Sequence, residues 1–361
     1  MLDPRDPACR DDPYPHYARL RSEAPFLRTS LGGEEVWLVS RYEDCLRILR
    51  DRRFGVPPHL RPRGPRAEVL GPRFVESLRP RVAEIATDLL DRAEERGAAD
   101  LVADFAFEVP ARVACELLGV PARDRHLFRA WLPELSRGFE PVLVSSEERA
   151  RCDAATEALG AYFEEHVRRR RGGPGRDLLS SLTGLDDAGR VASCLQVLDA
   201  ACETPMALIG NGALALARHP DQRRRLREDP HLAVSAVEEC LRWDSPVQVA
   251  CRIAEEEVFL DGLVIERSRM VLALLGSANR DPAVFEDPDT FQIERSGPPH
   301  LSFGCGERVC LGAHLARMEA QIALRLLVRR FPELHVPDVR LVRRPSLLLR
   351  SLECLPVVLA N

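Results

Sequence analysis

The 361-residue sequence contains no lysine, and all 51 of its basic residues are arginine. A lysine Schiff base and a phosphate-loop lysine are therefore excluded, and several enzyme classes go with them. No uncharged apolar run approaches the roughly 18 residues needed to span a bilayer. The opening stretch, Met1 to Pro13, is charged and proline-bearing and lacks the apolar core of a signal peptide. These absences lead us to expect a cytoplasmic protein that is not held at a membrane. Charge of one sign is not in excess either: 56 acidic residues face 51 basic ones, for a net charge of −5. That balance argues against nucleic acid as a partner, and a 45% hydrophobic content argues against a disordered chain. The eleven cysteines are odd in number and lack the tight even spacing of a secreted disulfide scaffold, so a reducing interior fits them best. Flavin and nicotinamide motifs are absent, as are internal repeats.

The periodicity is mainly helical. Apolar residues recur at helical spacing over 14 to 24, 76 to 96, 101 to 118, 122 to 137, 147 to 171, 190 to 218, 231 to 243 and 311 to 331. Strand-like segments are few: Glu35 to Ser40 after the Gly32-Gly33 turn, then 248 to 254, 257 to 260, 263 to 265 and 347 to 359. Between Arg53 and Arg73, Pro57, Pro58, Pro62, Pro65 and Pro72 interrupt any helix. Gly172 to Gly175 is the expected joint, and the arginines before it, Arg168 to Arg171, read as a solvated helix end whose carbonyl dipoles favour cations.

The chemistry concentrates in His300-Leu-Ser-Phe303-Gly304-Cys305-Gly306-Glu-Arg308-Val-Cys310-Leu-Gly312. A helix follows whose buried face is expected to carry Leu311, Leu315, Met318, Ile322 and Leu326. A cysteine at the start of a helix meets unpaired N–H groups and the positive dipole end, which favours the thiolate, a soft metal ligand. The glycines allow the backbone to turn tightly against something flat, and Phe303 can cover the sulfur. Two other readings stay open here: Cys310 as an inert core cysteine, and a zinc site from Cys305, Cys310 and His314.

The pattern F-G-x-G-x-x-x-C-x-G resembles the soluble bacterial cytochrome P450 family of haem-thiolate monooxygenases. That resemblance implies one multihelical, prism-shaped domain over residues 1 to 361 with small β-sheets, and haem b ligated by Cys310, with Phe303 and Gly304 beside it. Further segments match in order. Glu239-Cys-Leu-Arg242 is similar to the family's structural ion pair, and Glu203 and Thr204 match its acid and alcohol pair on the central helix. These two residues imply proton relay and oxygen handling, helped by Pro205, which cannot donate to the carbonyl of Ala201 and should open the helix. Arg252, Arg308, His59 and Arg63 match contacts to the haem propionates. The family's third network arginine, just before a phenylalanine, is replaced here by Thr290.

Two stretches, near 54–59 and 184–192, are shorter than the family's usual loops, and the first of them normally roofs the substrate pocket. A more open pocket suits a large organic substrate, such as a peptide or a carrier-protein-bound intermediate. Its lining is expected from 195 to 200, 247 to 250 and 348 to 354. The resemblance implies hydroxylation or oxidative coupling with O2, in bacterial secondary-metabolite biosynthesis. Electrons would come from a ferredoxin or flavodoxin that docks near Arg308 and Arg317. The alternative is a haem-free relative that activates a partner enzyme such as a glycosyltransferase. Thr290 and the missing roof favour it, whereas Cys310, Glu203 and Thr204 oppose it.

Overall fold

The computed structural model describes residues 6–57, 71–138, 140, 144–169, 179, 182 and 185–359. In chain order they begin with α1 (Pro7–Asp11), α2 (Tyr14–Glu23), β1 (Phe26–Leu31), β2 (Glu34–Val39), α3 (Tyr42–Arg50) and β3 (Phe54–Gly55). There follow α4 (Pro72–Arg96), β4 (Ala98–Asp100), a π-helical turn (Val102–Ala106), α5 (Glu108–Leu117), α6 (Arg125–Arg137), α7 (Ser146–Arg169) and the long α8 (Asp187–Arg218). Next come α9 (Pro220–Glu228), α10 (Ala233–Trp243), β5 (Val249–Ala254), β6 (Val258–Leu260), β7 (Leu263–Ile265) and β8 (Met270–Leu274). The chain closes with α11 (Leu275–Ala278), α12 (Ala313–Arg330) and β9 (Pro356–Val358).

These elements divide into two compact units, each drawn from separated stretches of chain. The first takes Met1–Arg61, Val234–Cys310 and Leu341–Glu353, and the second takes Pro62–Ala233, Leu311–Arg340 and Cys354–Asn361.

The first unit is built on a five-stranded sheet of order β1-β2-β8-β5-β3, in which β2 and β8 run parallel and the other neighbours antiparallel. Strand β8 reads Met-Val-Leu-Ala-Leu, and only its first residue is less than fully buried. A strand covered on both faces shows no polar alternation, which is why its sequence gave no strand signal. Helix α3 packs Cys45, Ile48 and Leu49 into the same core as Phe54, Val271 and Phe285.

The second unit is helical. In α4, Val75, Val82, Ile85, Ala86, Leu89, Leu90 and Ala93 recur every three or four residues as its buried stripe. Gly97 ends that helix at φ 68°, a left-handed conformation that glycine adopts without strain. Helix α8 starts where the Asp186 side chain accepts from the N–H of Gly189 at 2.8 Å. From Pro205 to Leu216 every one of its residues is buried, which makes it the axis of this unit. A two-stranded antiparallel sheet, β4 with β9, closes the unit's edge.

Two expectations change. The segment 347 to 359 is not one strand: only Pro356–Val358 pairs as β9, and the rest makes isolated bridges from Leu349 to Val247 and from Leu352 to Arg343. Arg350 within it, and Arg343 just before it, turn inward instead. Arg343 and Arg350 reach the buried Asp244 at 2.8 and 2.6 Å, and Tyr14 donates to the same carboxylate at 2.6 Å. Arg350 also donates to the carbonyls of Arg10 and Asp11, so one buried carboxylate ties three distant stretches of the first unit. The other change is at α12, where Leu315, Met318 and Ile322 are buried as expected but Leu311 is exposed and Leu326 only half-buried. The arginines at the end of α7 behave as a helix terminus, Arg168 and Arg169 both pairing with Glu165.

Burial alone would raise the Asp244 carboxyl, but Arg343 and Arg350 outweigh it and hold it well below the usual carboxylate range. A depressed folded-state pKa contributes stability above the unfolded value, about 4 for Asp, and that stability is lost as pH falls below it. Asp244→Asn should therefore lower urea-denaturation stability at pH 7 by about 3 kcal/mol and flatten its dependence on pH below about 4.

Candidate active site

The cysteine loop belongs to the first unit. Its turn is set by Gly304 and Gly306, both left-handed at φ 67° and 72°, and by the N–H of Cys310, which donates to the carbonyl of Phe303 at 2.9 Å. A Cβ on Gly304 would meet only the Arg308 carbonyl, at 3.7 Å, so backbone conformation and not crowding makes glycine fit there. Phe303 is half-buried with its ring tilted against His300 at 5.9 Å. Cys310 is exposed at the loop's end. An inert core cysteine would be buried, so that reading fails. No cluster of three or more His, Cys, Asp or Glu suited to a metal occurs among the described residues, which leaves the zinc reading without support.

A buried network fixes this loop from behind. On α10, Glu239 takes two hydrogen bonds from Arg242, at 2.7 and 2.8 Å, and both side chains are almost fully buried. The place left vacant by Thr290 is filled by Arg295, whose Nε lies 3.2 Å from Glu239, and the N–H of Gln292 donates to the same oxygen at 2.9 Å. Thr290 serves through its carbonyl, which accepts from Arg242 at 3.1 Å and from Arg295 at 2.9 Å. The network thus keeps a second guanidinium, supplied from five residues further on. Arg242 also donates to the carbonyl of Asn279, whose side chain accepts from the N–H of Leu301 at 2.7 Å and donates to Ser302 Oγ at 2.8 Å. Asn279, Ser302 and Arg295 were not legible as site residues, because no motif spacing marks them. Arg295 could have been found by looking four residues after Phe291 as well as just before it.

Arg252 on β5 and Arg308 in the cysteine loop lie close enough to repel each other, and neither forms an ion pair with a carboxylate of the described residues. The Nε of Arg252 is buried without a hydrogen-bond partner, while its Nη1 donates to the carbonyl of Cys251 at 2.9 Å. Arg308 donates to the carbonyl of Phe54 at 2.5 Å. Burial first, and then the Arg308 charge, hold the Arg252 pKa below its ordinary value. Two cations that repel each other, with no carboxylate of the described residues paired to either, fit a ligand that brings two carboxylates, as haem does with its propionates. The donor set therefore fits the group that the sequence implies. His59 and Arg63 lie outside the described residues.

Glu203 and Thr204 belong to the second unit, on α8. Glu203 is 2% exposed. Thr204 is half-buried, and its hydroxyl donates to the carbonyl of Ala200 at 3.0 Å. The expected opening at Pro205 does not interrupt the helix, which continues through it as one α-helix although Pro205 has no N–H for the carbonyl of Ala201. Beside the buried stretch that begins at Pro205, the preceding turns leave a partly open strip: Gln196, Val197, Asp199, Ala201 and Thr204 are half-buried and Ala200 is exposed.

The cytochrome P450 family model matches residues 152–351. The chain is 39% identical to the cytochrome P450 monooxygenase PikC of Streptomyces venezuelae, over 96% of this chain and 91% of that one. It is 35% identical to the biotin biosynthesis cytochrome P450 of Bacillus subtilis (strain 168), over 96% of each chain. The crystal structure of P450BioI in complex with a hexadec-9Z-enoic acid-ligated acyl carrier protein superposes with a TM-score of 0.92 at 34% identity, covering 98% of this chain and 100% of that one. This chain belongs to the bacterial cytochrome P450 family. It has that family's mainly helical fold and is a monooxygenase whose cofactor is haem with an axial cysteine thiolate. The haem-free activator reading finds no support among these relatives. The alignment with the Bacillus protein runs over 382 positions against 361 residues here, so at least 21 positions have no counterpart in this chain.

Glu239→Ala would strand Arg242 and Arg295 and should cost on the order of 3–5 kcal/mol in urea denaturation. Arg252→Ala should leave the fold intact and lower haem retention, read as the ratio of haem to protein absorbance after gel filtration.

Proposed function

We propose that this chain is a secondary-metabolite monooxygenase for a large or carrier-bound organic substrate, with Cys310 as the axial ligand. The observation that supports the cofactor assignment most directly is the uncompensated pair Arg252 and Arg308 beside the cysteine loop. When bound, haem on a thiolate supplies dioxygen binding and the oxidising power for inserting oxygen into a C–H bond.

The protein's own contribution is positioning and proton traffic. Cys310 is carried by a loop whose turn is fixed by Gly304, Gly306 and the Phe303 carbonyl, and its sulfur would be the axial ligand of the haem iron. Phe303 and Gly304 share that loop, and Arg252 and Arg308 would hold the haem propionates. The Thr204 hydroxyl, parked on the Ala200 carbonyl, can turn to hold a water molecule or donate its proton, and the Glu203 carboxyl one residue earlier replenishes it. The whole chain acts as one catalytic domain, as its match over 96% of the Bacillus relative supports.

The acyl carrier protein complex of P450BioI and the positions missing from this chain support a substrate presented on a macromolecule. The expected shortening near 54–59 falls partly outside the described residues; a shorter cover would trade water exclusion for access. Two electrons arrive from a separate ferredoxin or flavodoxin that docks around Arg308 and Arg317 in the cytoplasm. No helix among the described residues is long and apolar enough to cross a membrane.

The reduced, carbon monoxide-treated protein should show the red-shifted thiolate band, and Cys310→Ser should abolish it; a haem-free preparation that resists reconstitution overturns the reading. Acyl groups or peptides loaded on a carrier protein should perturb the haem spectrum at lower concentration than the same groups free in solution. Equal affinity would overturn the carrier-bound part.

A further inference from the structure

Asp199 sits on the open strip of α8, one turn before Glu203, and is half-buried. Ser136, next to the last residue of α6, hydrogen-bonds to its Oδ1 and so fixes the carboxyl group from a second helix. In a chain with 51 arginines, no cation pairs with Asp199 among the described residues. Burial pushes its carboxyl up to about 7, with repulsion from Glu203 adding to the effect and the Ser136 hydrogen bond opposing it. The neighbours Val197, Ala200 and Ala201 are small or apolar and give a substrate no other charged contact on this strip. A structural carboxylate would be expected to have a guanidinium partner, as Asp244 does, or to point into solvent, as the many exposed acids do.

We propose that Asp199 is a specificity-determining residue, whose carboxylate binds a basic amine on the substrate beside the Glu203–Thr204 pair. The inference rests on the monooxygenase reading and narrows its substrate class to molecules that carry an ammonium group near the carbon to be oxidised. Ser136 is then a positioning residue: its hydroxyl occupies one carboxylate oxygen and leaves the other for the substrate. An ammonium also relieves the repulsion between Asp199 and Glu203, an interaction that a neutral substrate cannot provide.

The probes are N,N-dimethyl-4-phenylbutylamine and N,N-dimethyl-4-phenylbutanamide, which have nearly the same shape and differ in charge. Their binding to the purified protein is measured by isothermal titration at pH 7.5, with the carbon monoxide spectrum recorded on the same samples. Wild type should prefer the amine by roughly tenfold or more, the range of a hydrogen bond to a charged group. Asp199→Leu should bring that preference to within about twofold, Asp199→Asn should retain part of it, and Ser136→Ala should reduce it, all with the thiolate band unchanged. Equal binding of the two probes by wild type, no binding of the amine, or a preference that survives Asp199→Leu would each overturn the assignment. Loss of the carbon monoxide band in wild type would sink the monooxygenase reading instead, while the titration would still decide the role of Asp199.

Discussion

The Glu239 carboxylate, enclosed by Arg242 and Arg295, is the constraint on which the cysteine loop depends. It is a buried charge, costly to desolvate, and it is stable only because two guanidiniums and the N–H of Gln292 surround it. Arg242 in turn spends its remaining donors on the carbonyls of Asn279, Pro288 and Thr290. Asn279 passes the constraint to Leu301 and Ser302, where the loop to Cys310 begins. Each polar group in this chain of contacts is held by one whose own partners are fixed, and this adds to the apolar packing of Leu301 in the core of the first unit to define the loop's starting point. Rigid support of this kind suits a residue whose sulfur must stay at one distance from a metal.

The same logic, applied twice more, separates structural from functional charge. Asp244 is surrounded by Arg343, Arg350 and Tyr14, and its low pKa reports a satisfied structural site. Arg252 and Arg308 present the reverse situation: two cations that repel each other and form no ion pair with a carboxylate of the described residues, a state that makes physical sense once a dianionic group completes it. Burying like charges together costs free energy, and folded chains retain such an arrangement where a ligand removes the cost.

Thr290 shows how far a motif can mislead. The expected arginine is absent at that position, and from the sequence alone the network looked incomplete and favoured a haem-free relative. Arg295 supplies the charge from a different backbone position, and the Thr290 carbonyl accepts from both guanidiniums. What the network needs is a guanidinium within reach of the Glu239 oxygens. A long flexible side chain can deliver it from more than one place in the sequence.

The helical body, the cysteine loop, the Glu239–Arg242 pair and the Glu203–Thr204 pair were legible in the sequence, because each rests on local spacing: turns every three or four residues, or glycines at fixed distances from a cysteine. Strand β8, the inward turn of Arg343 and Arg350, the replacement by Arg295 and the contact between Ser136 and Asp199 were not, because each joins residues tens to hundreds of positions apart. Amino-acid order sets which local conformations and charges exist. Only tertiary structure decides which buried charges find partners and which are left facing a ligand, since desolvation and Coulomb energy depend on distances that local sequence does not encode.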